Sequence, residues 1–314
     1  MTIAYLGPPG TFTEEALLSD AGSRSSDIQL LPMRSIDEVL AAVNEGRVEQ
    51  GFVAIENSIE GTVNVTIDTL VFGPDLLIQR EVVTPIRMHL LGRAGSDVAD
   101  VRRVLSFPHA IAQCRDWLVR NAPDVEVVAA NSTAEAVQLV AESDDPKAAA
   151  IGTARAAEIH ELTVLAADIE DHPDNATRFV LVARDGIPPP TGHDKTSIVC
   201  FQSADHPGSL HSILGQFSAR DLNLTKLESR PTKKGLGDYC FVIDLEGHVD
   251  DEVIADCLRD LHAQLPAVKF LGSYPAAGEH GESRRRDAEE SWRDADAWVR
   301  ALKSRVGRGY WQSY

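Results

Sequence analysis

Cysteine is scarce in this chain: four residues in 314, Cys114, Cys200, Cys240 and Cys257, scattered and never in a C-x-x-C spacing. Each lies in an apolar or amphipathic run, so buried free thiols are expected and a zinc site is not. Positive charge is also in deficit, with 30 Lys and Arg against 48 Asp and Glu and a formal net charge of −18. A nucleic-acid backbone would meet a repulsive mean field, so no nucleic-acid partner is expected. A small anionic ligand is still allowed, because it responds to helix N-termini and one or two nearby Arg rather than to the total charge. Long apolar runs are missing too, and no stretch is long enough to span a bilayer. The N-terminal Met1-Thr2-Ile3-Ala4-Tyr5-Leu6 carries no basic region before Gly7-Pro8-Pro9-Gly10. No secretory signal, no membrane partner and a cytoplasmic location are therefore expected.

What is present reads as a globular chain of about two domains, 43% hydrophobic. Up to about Val182, short apolar runs alternate with helical periodicity, which predicts α/β units. Candidate strands are Ile3–Leu6, Gly51–Ile55, Val104–Ser106, Val125–Ala129, Ala148–Ile151, Val164–Ala166 and Phe179–Val182. Thr11 with Glu14, Ser132 with Glu135 and Ser35 ahead of Asp37-Glu38 have helix-start spacing. The segment Arg80–Leu91, built around Pro85, reads as a strand crossing between two α/β lobes with a cleft between them. Asp185-Gly186-Ile187-Pro188-Pro189-Pro190 fixes φ repeatedly and reads as a semi-rigid linker. The expected division is residues 1–185 as a two-lobed domain, 186–195 as linker, 196–275 as a second domain and 276–314 as a charged, aromatic tail.

In the second domain Thr196–Gln202 reads as a strand, and Leu210, Ile213, Leu214 and Phe217 mark a helix. Leu224–Ser229 and Tyr239–Leu245 flank a turn at Lys233-Lys234-Gly235 with Gly237. Val253, Ile254, Cys257, Leu258 and Leu261 mark a second helix, and Val268–Tyr274 closes the unit. The order βαββαβ is ferredoxin-like, with one apolar face that favours pairing with a second copy. The tail contains Arg284-Arg285-Arg286, a candidate helix from Ala288 to Ser304, and Trp292, Trp298, Tyr310, Trp311 and Tyr314.

Four segments carry polar groups to strand ends. Gly7–Phe12 offers Thr11, and Ala54–Gly61 offers Asn57 and Ser58. Ser106-Phe107-Pro108-His109 is followed by Gln113 and Cys114. Thr177-Arg178-Phe179 sets a hydroxyl beside a guanidinium ahead of Val180-Leu181-Val182. At a strand mouth both Thr177 and Arg178 can reach one cleft, a pairing suited to an anion that needs a hydrogen bond at a leaving oxygen. Each segment alone reads equally as a turn or cap.

Taken in order, the four segments closely resemble the prephenate dehydratase family, with its G-P-x-G-T-F/Y, E-N-S-x-x-G, S-x-P-x-A-x-x-Q-C and T-R-F stretches. His206-Pro207-Gly208-Ser209-Leu210-His211 and Leu227-Glu228-Ser229-Arg230-Pro231 resemble the ACT regulatory domain joined to such dehydratases, with Ser209 where alanine is common. The resemblance covers roughly residues 2–275. It implies a periplasmic-binding-protein-like catalytic domain and conversion of prephenate to phenylpyruvate with loss of CO2 and water. It implies no metal or organic cofactor. Thr177 would donate to the leaving oxygen and Arg178 hold a carboxylate, with Thr11, Asn57, Ser58 and Phe179 on the substrate side. Phenylalanine would bind an effector site of Gly208, Ser209, Leu210, Asn223, Leu224, Glu228, Ser229 and Arg230, in a homodimer or homotetramer formed through the second domain. Arogenate dehydration, or amino-acid sensing or ligand binding without catalysis, are the competing readings.

Overall fold

The computed structural model describes residues 1–20, 27–202, 207–233, 235, 238–278 and 295–306. His206, Lys234, Gly237, the Arg284–Arg286 run, Trp292, Tyr310, Trp311 and Tyr314 lie outside the described residues. The chain forms two compact units: Met1–Leu76 with Glu81–Asp185, and Leu77–Arg80 with Gly186–Tyr314.

The first unit holds two lobes, each built on its own sheet. The first lobe contributes β1 (Thr2–Leu6), α1 (Phe12–Ser19), β2 (Gln29–Met33), α2 (Ile36–Asn44), β3 (Gln50–Asn57), β4 (Gly61–Thr62), α3 (Asn64–Phe72) and, from Glu81 on, β5 (Leu77–Pro85), whose first four residues count with the second unit. The second lobe follows as β6 (His89–Gly92), β7 (Arg103–Ser106), α4 (Pro108–Gln113), α5 (Arg115–Asn121), β8 (Glu126–Ala129), α6 (Thr133–Glu142), β9 (Ala148–Gly152), α7 (Ala154–Ile159) and β10 (Thr163–Ala166). The chain then returns to the first sheet as β11 (Ala176–Ala183), which lies between β3 and β5 in the order β2-β1-β3-β11-β5. The second sheet runs β10-β6-β9-β7-β8.

One expectation is corrected here, and one strand, β2, was not expected. Arg80–Leu91 is not one crossing strand: β5 ends at Pro85, which has no N–H to extend a ladder, and β6 opens at His89 in the other sheet. The strand β2 carries no clear alternation and contains Pro32, a residue that an edge strand tolerates. The two crossover segments are bonded to each other. Ile86 N–H donates to Asn175 O at 2.8 Å, Ile169 N–H to Met88 O at 2.8 Å, and the buried Glu170 carboxylate accepts from Met88 N–H at 2.9 Å and Arg87 at 2.8 Å.

Helix starts follow the spacing. Thr11, Ser35 and Ser132 each accept the N–H of the residue three positions on, and Glu38 and Glu135 reach back to the N–H before the cap. Beneath the helices, Ile3, Tyr5, Leu17, Phe52, Phe179 and Leu181 form one core of the first lobe. In the second lobe, Met88, Val104, Cys114, Leu118 and Ile151 form another, against which Phe12 packs.

The second unit contains β12 (Asp194–Phe201), α8 (Ser209–Ser218), β13 (Leu224–Pro231), β14 (Tyr239–Glu246), α9 (Glu252–Gln264) and β15 (Ala267–Pro275). Its sheet is antiparallel in the order β13-β14-β12-β15, the ferredoxin-like arrangement, with Ile198, Cys200, Ile213, Phe217, Ile243 and Leu261 in the core. A bulge in β15 places Gly272 at φ +141°, where a Cβ would meet the Ile78 carbonyl oxygen at 2.5 Å. Residues 295–303 form a helix, overlapping the end of the one expected from Ala288.

All four cysteines are buried and unbridged. Burial pushes the Cys200 thiol up to about 12 and the Cys257 thiol up to about 11. Both stay neutral, so the stability they lend is complete below the ordinary thiol range of about 8.5 and is lost as pH climbs toward those raised values. Ellman's reagent near neutral pH is expected to find no fast-reacting thiol in the folded protein and all four in denaturant; a fast native reaction would contradict this core.

Candidate active site

The pairing of β11 with β3 sets Thr177 opposite Asn57 and Arg178 opposite Glu56. The next pair is Phe179 with Ala54, so Ile55 is the extra residue of a bulge directly beside the two polar pairs. Asn57 Nδ2 donates to Thr177 Oγ1 at 2.9 Å and to Asn175 Oδ1 at 2.9 Å, and Asn175 Nδ2 donates to Gln113 Oε1 at 3.0 Å. One polar chain therefore links α4 of the second lobe, the returning crossover and both paired strands. Asn175 is 2% exposed and Thr177 8% exposed, so the chain is largely shielded from water.

Ser58 closes the turn after β3. Its N–H donates to Ala176 O at 2.9 Å, while its hydroxyl accepts from Ala176 N–H at 3.0 Å and donates to Asn175 Oδ1 at 3.3 Å. At the edge of the site Glu60 lies 3.3 Å from His109 Nδ1, and the His109 ring stacks on Phe107.

The structure corrects the expectation that Thr177 and Arg178 reach one cleft together. Successive strand residues leave opposite faces. Arg178 enters a separate network, donating to Glu81 at 2.6 Å and to Glu56 at 3.4 Å, with Glu81 fully buried. Phe179 is also corrected. It is a core residue, 2% exposed, stacked on Phe52 at 5.2 Å. Thr11 is the cap of α1, donating to Leu6 O at 3.1 Å and accepting from Glu14 N–H at 3.3 Å.

The loop holding Thr11 is fastened to the second lobe. Gly10 O accepts from the buried Thr153 hydroxyl at 2.8 Å, and Gly10 N–H donates to Glu14 at 2.6 Å. At φ +89° a Cβ on Gly10 would meet Ala156 at about 3 Å, so glycine serves both the conformation and the approach. Tyr5 donates to Glu14 at 3.3 Å, and burial, then the Glu14 charge, keep its hydroxyl protonated well above the usual phenol range.

Glu81, Thr153 and Asn175 were not singled out from sequence, and Gln113 was noted without a role. A polar Asn two residues before a Thr-Arg pair was the available signal for Asn175. Glu81 carries none, since Arg178 is 97 positions away, and Thr153 shows only as the cap of α7, its bond to Gly10 spanning 143 positions. Among the described residues, no cluster of three or more His, Cys, Asp or Glu is placed to hold a metal.

In the second unit Gly208, at φ +89°, opens α8, with Ser209 and Leu210 in its first turn. The strand β13 lies at the sheet edge; within it Glu228 sits 3.3 Å from Lys226 and 2.7 Å from Arg230, and Ser229 is exposed. Asn223 O accepts from Glu246 N–H at 3.0 Å, and Leu224 packs against the core.

Removing Arg178 would take from the buried Glu81 carboxylate the guanidinium that donates to it at 2.6 Å. Arg178→Met is therefore expected to destabilise the protein by about 3–5 kcal/mol in urea unfolding, and adding Glu81→Met to recover most of that loss. A stable single variant would show that the pair does not hold the strands.

Comparison with known proteins places this geometry. Residues 3–187 match the prephenate dehydratase family and residues 196–263 the ACT domain. The chain is 42% identical over 320 aligned residues to the prephenate dehydratase of Mycolicibacterium smegmatis, covering 97% of this chain and 98% of that one. A crystal structure of prephenate dehydratase from Arthrobacter aurescens, in complex with L-Phe, superposes with a TM-score of 0.84 at 40% identity, covering 97% of this chain and all of that one. A structure described as GqqA, a novel type of quorum quenching acylase, superposes at 0.77 with 30% identity over 88% of this chain and 98% of that one. With the family match spanning more than half its length, the chain belongs to the prephenate dehydratase family.

Proposed function

We propose that this protein converts prephenate to phenylpyruvate and is inhibited by phenylalanine through its second unit. The observation that carries the catalytic reading is the Asn57 amide donating to Thr177 Oγ1 at 2.9 Å. With a lone pair occupied in this way, the Thr177 hydroxyl has its own proton to direct at a leaving oxygen.

The chemistry asks for little more. The ring carboxylate leaves as CO2, the electrons of the broken C–C bond enter the ring, and the opposite C–O bond breaks with its pair on oxygen. That oxygen takes up one proton and departs as water, and aromatisation drives the sequence. A donor placed where charge develops is the main requirement, and Thr177 supplies it. Asn57 orients that donor and Ser58 holds the turn that carries Asn57. Arg178, neutralised by Glu81 and Glu56, acts from one step back by fixing the strand. Thr11 presents the first turn of α1, whose N–H groups suit a substrate carboxylate. The reaction as assigned draws on side chains and backbone of this chain alone.

Regulation follows from linkage: an effector bound more tightly by a low-activity state shifts the population toward it. The L-Phe bound in the Arthrobacter aurescens relative and the ACT match over residues 196–263 support phenylalanine as that effector here. Gly208, Ser209, Leu210, Asn223, Leu224, Glu228, Ser229 and Arg230 are the proposed pocket, completed by pairing of second units in a homodimer or homotetramer. The edge position of β13 suits such pairing. Among the described residues no helix is long and apolar enough to cross a membrane. A cytoplasmic location is proposed with the biosynthetic role.

Thr177→Val keeps shape and removes the hydroxyl, and is expected to lower kcat by about a hundredfold or more, with Thr177→Ser retaining most activity. Phenylpyruvate formation from prephenate, with arogenate assayed in parallel, reads this directly; near-normal turnover by the valine variant would refute the assignment. Ser209→Asp adds a negative charge that the start of α8 accommodates but an effector carboxylate would not. Basal turnover is expected to be unchanged while half-inhibition by phenylalanine needs about tenfold more effector. Unaltered inhibition would place the effector elsewhere.

A further inference from the structure

We propose that Asn175 is a positioning residue that relays the hydrogen-bond polarity fixed at the turn after β3 to Gln113, so that Gln113, like Thr177, presents a donor to the substrate. This rests on the reading of Thr177 as the donor to the leaving oxygen.

The polarity originates in the turn after β3. Asn57 Oδ1 accepts the backbone N–H groups of Ile59 at 2.9 Å and Glu60 at 3.0 Å, which only an oxygen can do. The Asn57 amide is thereby fixed with Nδ2 on the opposite side, donating to Thr177 Oγ1 and to Asn175 Oδ1. The Asn175 oxygen, which also accepts from the Ser58 hydroxyl at 3.3 Å, must face Asn57, so Asn175 Nδ2 must face Gln113. Gln113 in turn must meet it with Oε1. Its Nε2 is left on the outer side, with only a 3.4 Å contact to the exposed Glu60 carboxylate. The sense of every bond thus follows from two backbone N–H groups, and each end of the relay is a donor.

Asn175 is suited to this task by its place. It is 2% exposed, its N–H donates to His172 O at 3.1 Å and its carbonyl accepts from Ile86 N–H at 2.8 Å, so its backbone is held at the crossover between lobes. The side chain spans from α4 of the second lobe to β3 of the first. A substrate with two carboxylates and a departing hydroxyl is acceptor-rich on every side, and a site of uniform donor polarity matches it. Of the side chains of this size, a carboxamide donates at one end and accepts at the other without charge near neutral pH, where a carboxylate only accepts.

The test is isosteric. Asn175→Asp keeps the shape but, while ionised, accepts at both ends, so Gln113 must reverse and present its carbonyl to the substrate. The variant is expected to lose about tenfold or more in kcat/KM for prephenate with a melting temperature near that of the parent. Protonating the new carboxyl restores an O–H donor toward Gln113. The variant-to-parent ratio of kcat/KM is therefore expected to rise as pH is lowered from mildly alkaline to mildly acidic. Asn175→Ala should give a ratio that is flat in pH. Glu60 and His109, the titratable groups facing the relay, are common to all forms and cancel in the ratio. Gln113→Glu, at a half-buried position, is the second probe, expected to raise KM about tenfold without altering stability. The proposal is overturned if Asn175→Asp matches the parent across the pH range, or if the Asp and Ala variants lose activity equally with pH-flat ratios. Thr177→Val measured alongside separates the two readings. An inactive valine variant beside a normal Asn175→Asp removes the relay alone, whereas an active valine variant removes the donor reading on which the relay rests.

Discussion

The antiparallel pairing of β11 with β3 is the constraint on which the rest of this molecule depends. The chain leaves the first sheet through β5, builds an entire second lobe, and returns to insert β11 between β3 and β5. That return closes the first sheet, fastens the lobes at the paired crossovers, and brings Thr177 within 2.9 Å of the Asn57 amide. A register slip of one residue would send Thr177 to the Glu81 side and Arg178 into the amide chain. The polar stretch ends opposite the bulge at Ile55, and from Phe179 to Ala183 the strand is buried in the core.

Charge is handled locally rather than by the mean field. The chain carries −18 overall, yet Glu81 and Glu170, both buried, are met by Arg178 and Arg87. Removing one partner of such a pair takes a close cation from a buried carboxylate, a larger penalty than the pair's own net contribution. The site itself is built from carboxamides, hydroxyls and backbone N–H groups. Under the proposed function, neutral donors would serve an anionic substrate without a free cation held out of water.

Much of this organisation was legible in the residues. The capping spacings at Thr11, Ser35 and Ser132, the βαββαβ order of the second unit and most strands rest on local periodicity and turn chemistry, which act over a few positions. The strand β2 escaped because Pro32 and exposed neighbours hide its pattern at an edge. The break at Pro85 escaped because periodicity alone does not say which sheet an apolar segment joins. Among site residues, Thr177, Asn57 and Ser58 stood out as polar groups at strand ends, but their partners did not. Glu81 lies 97 positions from Arg178 and Asn175 lies 118 from Asn57. No local rule connects residues so far apart.

By itself the sequence determined the element types, the buried thiols and the family, because motifs in fixed order and short-range periodicity are properties of the chain alone. Only the tertiary structure decided what each polar residue does. The face a strand residue presents, the carboxylate an arginine meets and the direction of an amide all depend on which distant segment lies beside it. Thus Arg178 and Phe179, adjacent to Thr177 in the chain, belong to an ion pair and a core, while Asn175 and Gln113 complete the network around the hydroxyl.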